Sequence, residues 1–299
     1  MLAEKTYSLR NEGSISDKIK DYVLFVKLRL STLVVFSAVI GFTIGSETII
    51  WSKLLLLILG GFLVTASSNG FNQIIESDLD KLMFRTSNRP LPQGRMSPGE
   101  AMILASLMGL TGICILWFFM NPLSGILGLT ALLLYVLAYT PLKRKTPFAV
   151  FVGAFPGAIP PMLGWVAATQ GFGHISSAAG ILFVIQFMWQ FPHFWAIAWV
   201  LDEDYKKAGF QLLPSGARDK SSAFQILVYT LFLLPISLAP VFFHISGSIS
   251  ALVISTCGLF FAYQAYNLYD KGTVKAATQL MFGSFIYLPI VQLAIMIGK

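Results

Sequence analysis

The 299 residues hold only 14 acidic side chains, and six of them crowd into two short stretches. The first reads Asn69-Gly-Phe-Asn72-Gln-Ile-Ile-Glu76-Ser-Asp78-Leu-Asp80, followed by Arg85-Thr-Ser-Asn-Arg89-Pro-Leu-Pro. Asn72, Glu76 and Asp80 stand four apart. On a helix each such step turns about 40° and rises about 6 Å, so the three share one face, and Asn69 extends that face upward. Asp78 is rotated about 200° from Glu76 and falls outside the set. Such a ladder of oxygens suits Mg²⁺, which takes one or two carboxylates and completes its octahedron with water and substrate phosphate. Arg85 and Arg89 then place two guanidinium forks where phosphate oxygens could accept paired hydrogen bonds.

The second stretch, Asp202-Glu203-Asp204-Tyr205-Lys206-Lys207, repeats the recipe of carboxylates followed by cations. Asp202 and Asp204 are expected to add metal ligands there, and Lys206 to meet the same phosphates, so that metals and cations together neutralise one diphosphate. A third basic site, Tyr139-Thr-Pro-Leu-Lys143-Arg144-Lys145, offers Tyr139, Lys143 and Arg144 to that anion. His193 lies about two helical turns inside an apolar run. It could bind a substrate group, move a proton, or only hydrogen-bond in a helix interface. The plain alternative for all these charges is a set of solvated helix ends pairing with one another. Asn69 and Asn72 argue against it, because polar groups within an apolar span are costly and usually face a functional cavity.

The elements that must position these residues are membrane helices. Hydrophobic residues make up 56% of the chain and charged ones 12%, against about 25% in a soluble domain. Apolar runs of about 20 residues, the length that crosses a bilayer as a helix, occur at 29–46, 54–75, 99–119, 122–140, 148–168, 178–200, 223–243, 249–269 and 277–297. The predicted fold class is therefore all-α, a polytopic bundle of nine transmembrane helices. With the N-terminus cytoplasmic, nineteen of the 21 basic residues fall inside, and only Lys53 and Lys299 lie outside with the C-terminus. That topology accounts for the net charge of +7, so no nucleic-acid partner is expected. Residues 1–28 read as a cytoplasmic segment. Ile15, Ile19, Tyr22, Val23 and Val26 alternate there with Asp17, Lys18, Lys20, Asp21 and Lys27 as in an interfacial helix. Residues 29–299 form the intramembrane domain. Cys114 and Cys257 sit within spans without any C-x-x-C spacing, which signals neither a disulfide nor covalent heme attachment.

At these residues the chain resembles the intramembrane UbiA-type prenyltransferase superfamily, which carries an Asn/Asp-rich motif after the second span and an acidic motif after the sixth. Within it, the chain looks most like the heme O synthase branch. The motifs that carry this are Asn72-Gln-x-x-Glu76-x-x-x-Asp80, Arg85-Thr-x-x-Arg89-Pro-Leu, Gly157-Ala-x-Pro160-Pro161-x-x-Gly164-Trp165, Trp189-Gln-x-Pro192-His193-Phe-Trp195-Ala and Asp204-Tyr-x-x-Ala-Gly209. Gln73 replaces the Asp usual in quinone-type relatives, and Asp202-Glu203-Asp204 replaces their D-x-x-x-D. Lys27-Leu28-Arg29 departs from the Lys-Pro-Arg of the heme branch, which weakens any claim on Lys27 and Arg29.

The resemblance implies a helical bundle around a lipid-open central cavity capped by cytoplasmic loops, in the inner or plasma membrane of a bacterium. It implies farnesyl diphosphate and protoheme as substrates and Mg²⁺ as cofactor. Catalytic roles would fall to Asn69 and His193, with His193 also binding heme. Partners would be the lipid bilayer and downstream heme-modifying or terminal oxidase assembly proteins. Three rivals stay open: a prenyltransferase for an aromatic quinone precursor, told apart by acceptor competition; a transporter, disfavoured by polar clusters at helix ends instead of the midplane; and a noncatalytic heme carrier, which would bind heme without consuming farnesyl diphosphate.

Overall fold

The computed structural model describes residues 15–299, whose regular secondary structure is all helical, with no strand. A helix at the basic end of the bundle, α1 (Ile15–Val26), leads into α2 (Leu28–Gly45) and α3 (Trp51–Ile75), and a short α4 (Ser77–Asp80) follows. α5 (Pro98–Ile115) runs on as a π-helical turn to Met120. α6 (Pro122–Leu133) continues through a second π-helical turn, Leu134–Tyr139, into α7 (Thr140–Leu142). Then come α8 (Ala149–Ala167), α9 (Ser177–Val200), the short α10 (Asp202–Lys207), α11 (Lys220–Phe242), α12 (Ser248–Lys271) and α13 (Val274–Ile297). Among the described residues nine helical spans are long and apolar enough to cross a membrane.

Hydropathy places these spans to within a few residues, and the starts it misses by most, those of α3, α11 and α13, are first turns that carry a lysine. α11 begins at Lys220 because the Asp219 carboxylate accepts the Ser222 N–H at 2.7 Å. Asn121 and Ser176 likewise cap α6 and α9. A capping side chain satisfies an amide that would otherwise be orphaned, so it fixes the start of a helix whatever the hydropathy of that turn.

Small residues set the helix contacts nearest the cavity. At the α2–α8 crossing a Cβ on Gly41 would lie 2.0 Å from the Pro161 carbonyl oxygen, and one on Gly164 would lie 1.9 Å from that of Ala38. Only glycine allows these backbones to touch, as in other membrane helix pairs. α3 packs on α5, α8 on α9, and α11 to α13 pack in turn against one another and α9.

α1 does more than rest on a membrane surface. Ile15, Ile19, Tyr22 and Val23 are exposed, as the interfacial reading expects. The opposite face is anchored to protein: Phe25 is fully buried against Gly70 and Ala105, and Asp21 pairs with Arg95 at 2.9 Å. Between α1 and α2 the chain turns at Lys27, which adopts left-handed backbone angles (φ 48°, ψ 58°). The first 14 residues of the expected N-terminal segment lie outside the described residues.

Candidate active site

A cavity of about 560 Å³ opens among the helices at the basic end of the bundle. Its interior wall is mostly apolar, with Val64, Pro156, Pro160, Trp189, Phe194 and Phe285 among the lining residues. Its charged lining groups are Lys27, Glu76, Asp80, Arg85, Arg89 and Lys143, four cations against two carboxylates.

The asparagine-carboxylate ladder survives a break in its helix. α3 stops at Ile75 and Glu76 leaves helical geometry, yet the Glu76 N–H still reaches the Asn72 carbonyl (3.0 Å) and the Asp80 N–H the Glu76 carbonyl (2.8 Å). The four-residue rhythm therefore persists, and Asn69, Asn72, Glu76 and Asp80 all line the cavity. Asn72 Nδ2 donates to Glu76 Oε2 at 3.0 Å, and Asn69 Nδ2 donates to Ser31 Oγ at 3.2 Å. The second π-helical turn carries Tyr139 and, just beyond it, Lys143 to the same wall. Lys143 Nζ lies 2.6 Å from the Glu76 carboxylate and over the rings of Tyr139 and Phe210. Arg89 Nη1 lies 2.6 Å from Asp80 Oδ2. Asp78 points to solvent and pairs with Lys81.

Electrostatically the mouth is short of anions. Burial pushes the Lys143 amine below its ordinary range, and Glu76 opposes that shift. Lys27 is pushed down further, by burial first and then by the positive charges of Arg89, Lys143 and Arg85, against a weaker pull from Glu76. No carboxylate among the described residues stands within ion-pair distance of Lys27 or Arg85. Lys27 is a cavity-lining cation that the sequence undervalued; its signal was a lysine at the junction of an amphipathic helix with the first span.

Four expected residues lie elsewhere. Asp202 does not line the cavity: α9 ends at Val200, and the next turn carries Asp202 to Lys206 (2.7 Å) and Arg218 (3.6 Å). Lys206 is exposed in that pair, away from the diphosphate position expected for it. Arg144 is exposed on a separate groove with Ile75, Leu79 and Pro141. Asp204 accepts the backbone N–H groups of Phe84 (2.9 Å) and Arg85 (3.2 Å). Burial would raise its carboxyl pKa, but those two hydrogen bonds and Lys207 outweigh it and hold the group below the usual range. Its role in the structure is thus to clasp the loop bearing Arg85 to α10. Among the described residues no three Asp, Glu, His or Cys side chains converge, so the expected ring of carboxylates from both acidic stretches is not assembled.

The residues that do converge still fit Mg²⁺. Asp80 Oδ1 is buried and has no hydrogen-bond partner, while the Asn72 and Glu76 side chains stand beside it on the same wall. Two carboxylates, an amide oxygen and room for phosphate and water match this cation's needs.

Deeper in the cavity, His193 Nδ1 lies 2.8 Å from Ser284 Oγ, and its ring stacks on Trp189 with centroids 4.2 Å apart. A belt of amides that the sequence did not single out crosses the same depth: Gln292 Nε2 donates to Gln186 Oε1 (2.8 Å), Gln186 Nε2 to the Gly157 carbonyl (2.7 Å), and Gln190 Nε2 to the Ala154 carbonyl (3.0 Å). Trp195 and Trp199 are buried in the core.

The UbiA prenyltransferase family model matches residues 34–287. Protoheme IX farnesyltransferase of Cytophaga hutchinsonii is 47% identical over 287 residues, covering 95% of this chain and 99% of its own. That of Christiangramia forsetii is 47% identical over 286 residues, covering 94% of each chain. The fold is similar to a solved digeranylgeranylglyceryl phosphate synthase (TM-score 0.78, 23% identity, 94% of this chain and 98% of that one). It is also similar to a UbiA homolog from Archaeoglobus fulgidus bound to GPP and Mg²⁺ (TM-score 0.70, 15% identity, 92% of this chain and 99% of that one).

Proposed function

This chain belongs to the UbiA prenyltransferase family, and we propose that it transfers a farnesyl group from farnesyl diphosphate to a vinyl group of protoheme with addition of water, giving heme O. The observation that carries the reading is the imbalance at the mouth, where four cations face two carboxylates at the rim of an otherwise apolar cavity. A diphosphate supplies the missing negative charge, and the apolar depth beyond takes a prenyl chain and a porphyrin.

Lys27, Arg85, Arg89 and Lys143 bind the diphosphate and stabilise the charge that builds on it as the allylic C–O bond breaks. Tyr139 supports Lys143 through its ring face. Asn72, Glu76 and Asp80 would hold Mg²⁺, with Asn69 extending the polar wall; the metal would supply further charge neutralisation on the leaving group. Asp204 acts through the loop it clasps, setting where Arg85 stands. The apolar walls exclude bulk water until the farnesyl cation has been attacked by the vinyl group.

The chain is an integral, multi-pass membrane protein. Its mouth, on this reading, faces the cytoplasm and its C-terminus the outside, because the basic residues gather at the mouth. The intramembrane unit spans 29–299, with 1–28 as a cytoplasmic segment that includes α1, and the product passes to heme-modifying or terminal oxidase assembly proteins.

The test incubates purified protein with protoheme, farnesyl diphosphate and Mg²⁺ and reads the porphyrin by mass, with a quinone precursor as a parallel acceptor. A hydrated, farnesylated heme that disappears on chelation is expected. Product from the other acceptor alone would assign the site to quinone prenylation, and heme binding without diphosphate release would make the protein a carrier.

A further inference from the structure

Farnesylation of a vinyl group leaves a second problem, which the mouth of the cavity does not address. Attack on the prenyl cation moves the positive charge to the vinyl carbon attached to the porphyrin. Forming a hydroxyl there requires one water, held at the right place in a cavity that otherwise keeps water out, and a base for its proton.

Two groups on one face of α9 meet those requirements. Gln190 is 2% exposed and lines the cavity. Its Nε2 donates to the Ala154 (3.0 Å) and Gln186 (3.3 Å) carbonyls, which fixes the amide's orientation. Its Oε1 is then the amide acceptor of the belt without a donor among the described residues. Gln186 Oε1 accepts from Gln292, and Gln292 Oε1 accepts from the Ser37 hydroxyl. The fit is close: a Cβ on Gly157 would lie 2.1 Å from Gln190 Oε1. Gly157 therefore makes room for this oxygen.

His193 stands three residues further along, and side chains so spaced are neighbours on a helix, about 5–6 Å apart at Cβ. The Ser284 hydroxyl donates to the Met281 carbonyl at 2.6 Å, so at the 2.8 Å contact with His193 it is Nδ1–H that donates. The lone pair is thereby left on Nε2, on a ring that lines the cavity. Among the lining side chains of this deeper half, which are otherwise amides, hydroxyls and apolar groups, His193 is the one base; the carboxylates lie at the mouth, paired with Lys143 and Arg89.

We propose that Gln190 and His193 carry out the hydration step: Gln190 Oε1 holds the attacking water and His193 Nε2 takes its proton. This rests on the farnesyl-transfer reading. The C1–O bond of farnesyl diphosphate breaks with its electron pair leaving on the diphosphate, and the vinyl π pair then forms the carbon–carbon bond to the farnesyl C1 cation. A lone pair of the held water then forms the carbon–oxygen bond, and its O–H pair returns to oxygen as the proton passes to His193. That proton is released to solvent with the products, one per turnover.

The test runs the full-length protein with protoheme, farnesyl diphosphate and Mg²⁺ in heavy-oxygen water. It reads by mass the ratio of hydroxylated product to the farnesylated porphyrin that has lost a proton instead and is lighter by one water. Wild type is expected to incorporate the heavy oxygen. Gln190→Leu, His193→Phe and Gly157→Ala, the last displacing the amide without altering it, should each lower that ratio by about a hundredfold or more, the low end for general acid–base catalysis. An unchanged ratio in Gln190→Leu overturns the proposal. So does His193→Phe with an unchanged ratio and a lost iron–imidazole absorption signature, which would make His193 an iron ligand. If His193→Phe gives no porphyrin product, the ratios of the other two variants decide. A wild type that farnesylates no porphyrin refutes the parent reading, whereas a wild type that hydrates normally beside variants that do the same refutes only this one.

Discussion

Replacing Asp80 by Asn separates the two tasks assigned to the carboxylate at the foot of the ladder. Asp80 is completely buried, with Oδ2 2.6 Å from Arg89 Nη1 and Oδ1 lacking any partner. Asparagine has the same shape. Its oxygen keeps the hydrogen bond to Arg89, but the charge is lost and an NH₂ stands where a metal would need an oxygen. Breaking a buried ion pair costs about 3–5 kcal/mol, yet Arg89 opens onto the cavity mouth, and screening there should bring the folding cost to roughly 1–3 kcal/mol. The catalytic cost is larger. Losing one preorganised charge-stabilising group typically lowers kcat about 10²–10³-fold, or roughly 2.7–4 kcal/mol. Binding should change little: Arg89 keeps its hydrogen bond to residue 80 while its charge is no longer neutralised there and can act on the diphosphate, so KM for farnesyl diphosphate should stay within about threefold. Initial rates of porphyrin farnesylation over a grid of substrate and Mg²⁺ concentrations, with a detergent melting curve alongside, measure all three quantities. The reasoning fails if kcat stays within about threefold of wild type at limiting Mg²⁺. It fails equally if KM rises by the factor by which kcat falls, since Asp80 would then be an ordinary binding contact.

Asp204→Ala, which frees the Phe84 and Arg85 amides, should raise KM for farnesyl diphosphate by about tenfold, as expected for lost hydrogen bonds to a charged group, whereas Asp202→Asn should lower the melting temperature and leave KM unchanged; steady-state kinetics and melting curves on both variants check this. Farnesyl diphosphate affinity should weaken as pH rises through a range below the ordinary lysine value, because the depressed Lys27 amine loses its proton, and its attraction for the anion, earlier than an exposed lysine does. Lys27→Arg should shift that alkaline loss upward, and a KM profile against pH that is the same in both proteins would remove Lys27 from the site. Gly164→Ala should destabilise the α2–α8 crossing by about 1–3 kcal/mol, since its Cβ meets the Ala38 carbonyl instead of a yielding side chain; a detergent melting curve reads the effect.

Much of the site was legible along the chain. Asn69, Asn72, Glu76 and Asp80 could be assigned to one wall because their spacing is a property of the helix that carries them, and the kink at Glu76 preserves it through two backbone hydrogen bonds. Tyr139, Lys143, Arg85 and Arg89 were legible for a related reason: each lies at or within ten residues after the end of a helical segment, and that end had to lie at the basic side. Asp202, Lys206 and Arg144 misled because the same logic fixes the end of the bundle at which a residue sits but not the direction in which its side chain turns after the helix stops. Asp204 misled further, since its carboxylate is consumed by amides some 120 residues earlier in the chain.

By itself the sequence determined the solvent of this protein, its nine spans and the end at which chemistry is concentrated. These follow from transfer of apolar segments into lipid and from internal backbone hydrogen bonding, both local to each segment. Tertiary structure decided which charges are partnered, which amide oxygen is left free and which tautomer His193 adopts. Those outcomes depend on Lys143 meeting Glu76, Gln292 meeting Ser37 and Ser284 meeting His193 across 67, 255 and 91 residues. Hydropathy carries no information on helix rotation, and the facing side chain on a neighbouring helix is what sets the charge state and hydrogen-bond capacity that the chemistry uses.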